Sequence, residues 1–321
     1  MVGTEFIPSL TADEAGQLKM VQVILIGLGA GAAAALMFAS VVSGSIAAIL
    51  LFYLAPLPIF IAALGWSPLA GLIAAAVATA AVTIVSSTFF IAVAVIAFGA
   101  WWLGYCALLA RPASSAGALE WYPAGRLVLW AAVIGTLVVV AAIPNFGMDQ
   151  QSVQAALRKA YERILRDRSL IDMLVVAVPP AAAVFSTVTN LLNLWLAARI
   201  VKISGRLRRP WPDLPALNLP TSSSGLLAAA IVGSFLPDLF GVLSGAFAAS
   251  LLMAFAMLGF AVLHAITRGM SARALVLGAL YAATAILGWP VLAISILGLA
   301  ETAFNIRNRF ARKRGPPGLR T

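Results

Sequence analysis

Residues 20–110 read MVQVILIGLGAGAAAALMFASVVSGSIAAILLFYLAPLPIFIAALGWSPLAGLIAAAVATAAVTIVSSTFFIAVAVIAFGAWWLGYCALLA, and no charged side chain stands between Lys19 and Arg111. A stretch of about ninety apolar residues is long enough for four membrane crossings at ~20 residues each. In hydrocarbon every backbone group must be satisfied within the chain, which leaves helices as the element for runs of this length. The whole chain agrees, with 62% hydrophobic and 10% charged residues and a mean hydropathy of +1.02. The expected class is an all-α, polytopic transmembrane helix bundle.

Working outward, the uncharged region divides into helices at Met20–Ser40, Ser43–Leu64, Ser67–Ser86 and Thr88–Ala110. Later apolar runs add Leu127–Ile143, Ser169–Ile200, Gly225–Phe240 and Leu243–Thr267. The last, Ala272–Ile306, is too long for one span and is broken at Gly288-Trp289-Pro290, where proline removes a helix donor. The sum is eight full spans plus a short C-terminal helical hairpin.

The net charge of +10 is read as the cytoplasmic Lys/Arg bias that orients spans, not as nucleic-acid binding. Arg199, Lys202, Arg206, Arg208 and Arg209 form one basic cluster, and Arg307, Arg309, Arg312, Lys313 and Arg314 form another. Placing both inside, together with Lys19, Arg111, Arg126, Arg268 and Arg273, requires an even number of crossings between neighbours. That count is met when Gly288-Trp289-Pro290 is a hairpin tip. The expected setting is a bacterial inner membrane, multi-pass, with both termini cytoplasmic. Glu5, Asp13 and Glu14 precede the first basic residue, Lys19, unlike the positive start of a cleaved signal, so the first span is expected to be retained.

The chain is then organised as a cytoplasmic segment (1–19), a six-helix membrane domain (20–203), a Pro-rich cytoplasmic linker (204–224), C-terminal membrane helices (225–306) and a basic tail (307–321). Residues 149–168 interrupt the first domain with an external amphipathic helix. Val153, Ala156, Leu157, Ala160 and Ile164 line one side, opposite Arg158, Lys159, Glu162, Arg163 and Arg166. Asp149 suits its N-cap, and Glu162 with Arg166 an i,i+4 pair. This helix lies at the interface or serves as a lid over a cavity. Prolines 210, 212, 215 and 220 favour a stiff, extended linker that divides the bundle.

Polar residues within apolar runs are the candidates for function. Ser186, Asn190 and Asn193 share one face of the sixth helix, downstream of Pro179-Pro180, which should bend it. Amides in hydrocarbon need partners, either across helices or on a bound molecule. This face, with Asp172 at the helix start, is the expected small-molecule site. Gly27, Gly31, Ala35 and Ala39 form a ridge of small residues in the first helix. It suits close packing inside the bundle or docking of another membrane subunit. Asp238 is expected in a turn. One Cys, Cys106, and one His, His264, leave no Cys or His cluster for metal. Ser244 and His264 lie about twenty residues apart in one run without a nucleophile elbow. No Walker loop or H-E-x-x-H is present, so neither an enzyme nor a cofactor is expected.

Two motifs carry a family resemblance. Gly65-Trp66-Ser67-Pro68-Leu69-Ala70-Gly71 resembles the small-Pro-x-x-Gly turn of S components of energy-coupling-factor transporters, whose six-helix size is similar to the N-terminal half. The segment Gly298 to Arg307, with Glu301 and Arg307, resembles the ending of the YybS-like family of polytopic bacterial membrane proteins, whose helix layout is similar along nearly the whole chain. The resemblance implies a transporter-like component that binds a small molecule. The alternative is a non-transporting scaffold whose basic loops recruit protein partners or anionic lipid.

Overall fold

The computed structural model describes residues 12–85, 90–113 and 119–313. Glu5 and the rest of 1–11, the expected helix ends at Ser86 and Thr88, and Arg314 with the rest of the tail lie outside the described residues. The chain is all-α apart from one ribbon. In order it forms α1 (Ala12–Ala39), α2 (Ile46–Leu54), α3 (Pro56–Gly65), α4 (Pro68–Val85), α5 (Phe90–Ala107), β1 (Ala110–Pro112), β2 (Leu119–Trp121) and α6 (Ala124–Ala142). There follow α7 (Gln150–Glu162), α8 (Arg168–Ile203), α9 (Ser222–Gly233), α10 (Asp238–Ile266), α11 (Arg273–Leu287), α12 (Pro290–Phe304) and α13 (Ile306–Lys313).

Among the described residues, six helical stretches are long and apolar enough to cross a membrane: Gly16–Ser43, Ile46–Gly65, Phe90–Ala107, Ala124–Asn145, Arg168–Ile203 and Asp238–Ile266. Pro68–Ile84, Ser222–Gly233, Arg273–Leu287 and Pro290–Phe304 are apolar but shorter. The outer surface is apolar as well, with Ile46, Ile84, Phe235 and Ile286 each at least four-fifths exposed. Water would penalise such a surface, whereas hydrocarbon is indifferent to it.

Packing follows the small residues. Gly27 and Gly31 of α1 are buried against Ile73, Val77 and the Ala70 and Ala74 carbonyls of α4. The ridge expected in the first helix is therefore occupied by α4 of the same chain. A first core joins α1, α3, α4, α5, α6 and α8 around Phe38, Ile59, Phe60 and Leu103. A second joins α6, α9 and α10 around Leu251, Phe255 and Leu258. In α12, Gly298 lies so close to the Phe255 carbonyl of α10 that any side chain there would overlap it.

Several elements differ from the expectation. The expected second span stands as one apolar stretch, Ile46–Gly65, divided by a turn at Ala55 before Pro56 starts α3. The expected span Gly225–Phe240 stops at Gly233, leaving a 12-residue helix of roughly 18 Å. Pro237 ends it, and Asp238 (φ 61°) turns the chain into α10. α8 runs 36 residues, roughly 54 Å of helix, without a break at Pro179-Pro180. The amphipathic helix α7 is capped as expected, with the Ser152 N–H donating to the Asp149 carboxylate at 2.9 Å. It ends at Glu162, so Glu162 and Arg166 do not share a helix, and Arg158 pairs with Asp172 of α8 instead. Arg111 and Glu120 form an ion pair across the unforeseen β-ribbon at 2.8 Å, holding the Glu120 carboxyl below its usual range.

Candidate functional site

The 204–224 segment is folded against the bundle, not extended away from it. Its hydrophobic residues explain why: Leu217 and Leu219 are buried in the second core. A 3-10 turn at Leu214–Ala216 lets the chain double back. At Gly125 of α6 the absence of a side chain allows the Asn218 carbonyl to sit against the helix.

Polar contacts fasten this strap to the ends of five helices. The Arg208 guanidinium donates to the Trp66 carbonyl after α3 at 3.4 Å, and Arg209 to the Ala107 carbonyl of α5 at 3.1 Å. The Arg206 guanidinium lies 4.5 Å from the centre of the Trp66 ring. The Trp211 ring receives Arg199 at 5.6 Å and Lys202 at 4.9 Å, both from α8. Such stacking attracts a cation to the face of an aromatic ring. Asp213 meets Arg268, just beyond α10, at 3.5 Å.

The fifth attachment is the most buried. Arg307 Nε donates to Glu301 Oε1 at 2.8 Å and the Arg307 backbone N–H to Oε2 at 3.1 Å. The same guanidinium donates to the Pro215 carbonyl at 2.7 Å and to Asn218 Oδ1. The two side chains are only 13% and 6% exposed. Residues six apart do not face each other on a continuous helix. Asn305 (φ 48°) breaks α12 from α13 and folds Arg307 back onto Glu301.

Beneath the strap lies an apolar cavity of about 470 Å³ between α6, α8, α10 and α11. That volume lies within the ~300–1,000 Å³ typical of small-molecule sites. Leu127, Leu194, Trp195, Met257 and Phe260 line its walls, and Arg209, Trp211, Leu214 and Leu217 its roof. The wall contains one polar pair, His264 and Tyr281, hydrogen-bonded at 2.9 Å, with the Tyr281 ring stacked on Phe260 at 4.7 Å. Burial draws the pKa of Arg209 below its ordinary value; an arginine remains cationic under such conditions. A second, more polar cavity of about 310 Å³ lies under α7, near the starts of α8 and α10, where Gln150, Gln154, Pro179, Ser234 and Asp238 meet.

The polar face of α8 is placed elsewhere. Asn190 Nδ2 donates to the Ser186 carbonyl at 2.9 Å, and Asn193 Nδ2 donates to the Thr189 carbonyl at 2.9 Å and across to the Tyr53 carbonyl of α2 at 2.8 Å. Tyr53 precedes the break at Pro56 and Pro58, which remove helix donors, so Asn193 ties the end of α2 to α8. Ser186, Asn190 and Asn193 thus come together as neighbours, but they line neither cavity, nor does Asp172. The residues that sequence inspection missed are those of the strap. Apolar Leu207, Trp211, Leu217 and Leu219, interleaved with the prolines, are the signal that could have found them. Among the described residues no cluster of His, Cys, Asp and Glu is arranged to hold a metal ion.

Searches against protein-family models, curated proteins and solved structures find no match to this chain. Its function must be argued from its own geometry.

Proposed function

We propose that this chain is a multi-pass protein of a bacterial inner membrane that holds a small, largely apolar molecule in the strap-roofed cavity, as a transporter-like binding component and not an enzyme. The observation that carries this proposal is the cavity itself: an apolar space in the range of small-molecule sites, roofed by a segment fastened at five helix ends. The topology in the proposal is eight spans and a hairpin with both termini cytoplasmic, the short helix α9 counting as the seventh span. It is supported by the contacts of the strap, because Trp66, Ala107, Arg268 and Arg307 all meet it. Arg268 and Arg307 are themselves basic, Ala107 lies four residues before Arg111, and Trp66 follows the second of the crossings counted from Lys19, so the positive-inside rule puts all four on the cytoplasmic side.

Membership of the YybS-like family and kinship of the first six spans with S components belong to the same proposal. They are supported by a well-formed turn at Gly65–Gly71, where the Ala70 N–H donates to Ser67 Oγ at 3.1 Å, and by the pairing of Glu301 with Arg307. The alternative is a scaffold that recruits partners through its basic residues. It is disfavoured because Arg206, Lys202 and Arg199 are engaged with the Trp66 and Trp211 rings.

Ala198 lines the cavity, so Ala198→Trp should fill it. Native mass spectrometry of the purified full chain should show a co-purifying molecule that this variant lacks. Equal occupancy in both proteins would reject the cavity as the site.

A further inference from the structure

We propose that the ligand of the strap-roofed cavity is an anionic amphiphile, with its hydrocarbon chain among the apolar walls and a phosphate-type headgroup on Arg209. This rests on the preceding proposal that the cavity holds a molecule, and adds the chemical class.

Arg209 is the one cation in the cavity lining. A guanidinium has five N–H donors in a planar fork. Here one donor is used on the Ala107 carbonyl at 3.1 Å. Among the described residues no carboxylate lies within ion-pair distance of Arg209; the strap's own acid, Asp213, is with Arg268, and Glu301 is with Arg307. The other polar groups of the wall, His264 and Tyr281, bond each other. Arg209 is therefore the charged group of the cavity lining with donors to spare.

The surroundings reinforce the sign. Arg199 and Lys202 stand over Trp211, whose ring lines the same cavity. The cavity mouth thus carries a surplus of positive charge over an apolar interior. A neutral hydrocarbon would leave a half-buried guanidinium facing it, and a cationic ligand would be repelled. A molecule with a long apolar chain and a terminal phosphate matches both halves, because a guanidinium fork binds phosphate oxygens in a bidentate manner.

The test uses the full-length protein, delipidated in neutral detergent, and native mass spectrometry with dioleoyl phosphatidic acid, dioleoyl phosphatidylcholine, dodecyl phosphate and inorganic phosphate as probes. The expected order is phosphatidic acid and dodecyl phosphate above phosphatidylcholine, with no competition by inorganic phosphate, which lacks a chain. Arg209→Gln should weaken phosphatidic acid by about tenfold or more, the loss of one charged hydrogen-bonding partner, and weaken phosphatidylcholine, whose phosphate is offset by choline, far less. Arg209→Lys should recover part of the preference. Arg163→Gln, after α7 and outside both the strap and the cavity lining, should bind as the wild type does. Competition by inorganic phosphate would show a headgroup site without a chain pocket and overturn the assignment. If Arg209→Gln retains the anionic preference while Ala198→Trp loses all binding, the cavity holds a chain but not an anion, and only this inference fails. If Ala198→Trp binds as the wild type does, the cavity is not the site and both proposals fail.

Discussion

Replacing Arg307 with Ala removes three side-chain donors from Glu301, Pro215 and Asn218 at once. It also strands a carboxylate that is 6% exposed in the wild type. Breaking a buried pair by deleting one partner costs about 3–5 kcal/mol, because an uncompensated charge remains in a poorly polarisable site. Removing both charges and keeping the volume is far cheaper, so Glu301→Leu with Arg307→Met should lose about 2 kcal/mol or less. The assay is thermal unfolding of the full chain in detergent, followed by intrinsic tryptophan fluorescence. Hydrogen exchange over residues 212–219 serves as the local readout. Arg307→Ala should lower the melting temperature more than the double variant does, and only variants lacking Arg307 should loosen the strap. Equal shifts in the single and double variants would refute the view that a stranded charge dominates. An unchanged exchange rate at 212–219 would refute the fastening of strap to α13.

Three further outcomes follow from the packing and the caps. Gly298→Val should separate α12 from α10, since its side chain meets the Phe255 carbonyl, at a cost of about 1–3 kcal/mol for overpacking; thermal melts read it. Asn193→Ala should cost about 1–3 kcal/mol by abandoning the Tyr53 carbonyl at the Pro56 break, with faster exchange at residues 53–57 and little change in ligand occupancy. The caps Asp149 and Asp167 have carboxyls lowered by hydrogen bonds from Ser152 and Ser169, so they stabilise the starts of α7 and α8 above the unfolded carboxyl pKa of about 3.9. That contribution is lost as pH falls through the lowered values, and protection of residues 150–162 from exchange should fall in that acid range but hold from pH 5 to 7.

Much of the bundle is legible in composition alone, since a run without charge from Lys19 to Arg111 leaves few alternatives to apolar helices. What escaped was the length of individual elements. Phe235 and Leu236 continue an apolar run, so hydropathy carries α9 past Gly233, whereas Pro237 and the turn at Asp238 stop it. Pro179-Pro180 would stop a helix by local rules, yet α8 is not broken at either. The strap was hidden because proline density signals extension, while burial of Leu217 and Leu219 depends on α6 and α10, distant in sequence. Glu301 and Arg307 stand out as residues, but their pairing requires the left-handed Asn305, which no helical periodicity reveals. The amides of α8 are recognisable as buried polar groups; the bond of Asn193 to the Tyr53 carbonyl of α2 is a tertiary fact.

A cryo-EM map of the full chain in nanodiscs containing acidic phospholipid would address the strap-roofed cavity most directly. It should show elongated density running between Leu194 and Met257 with its head against Arg209. A cavity closed by inward movement of Trp211, with no density inside, would contradict the account.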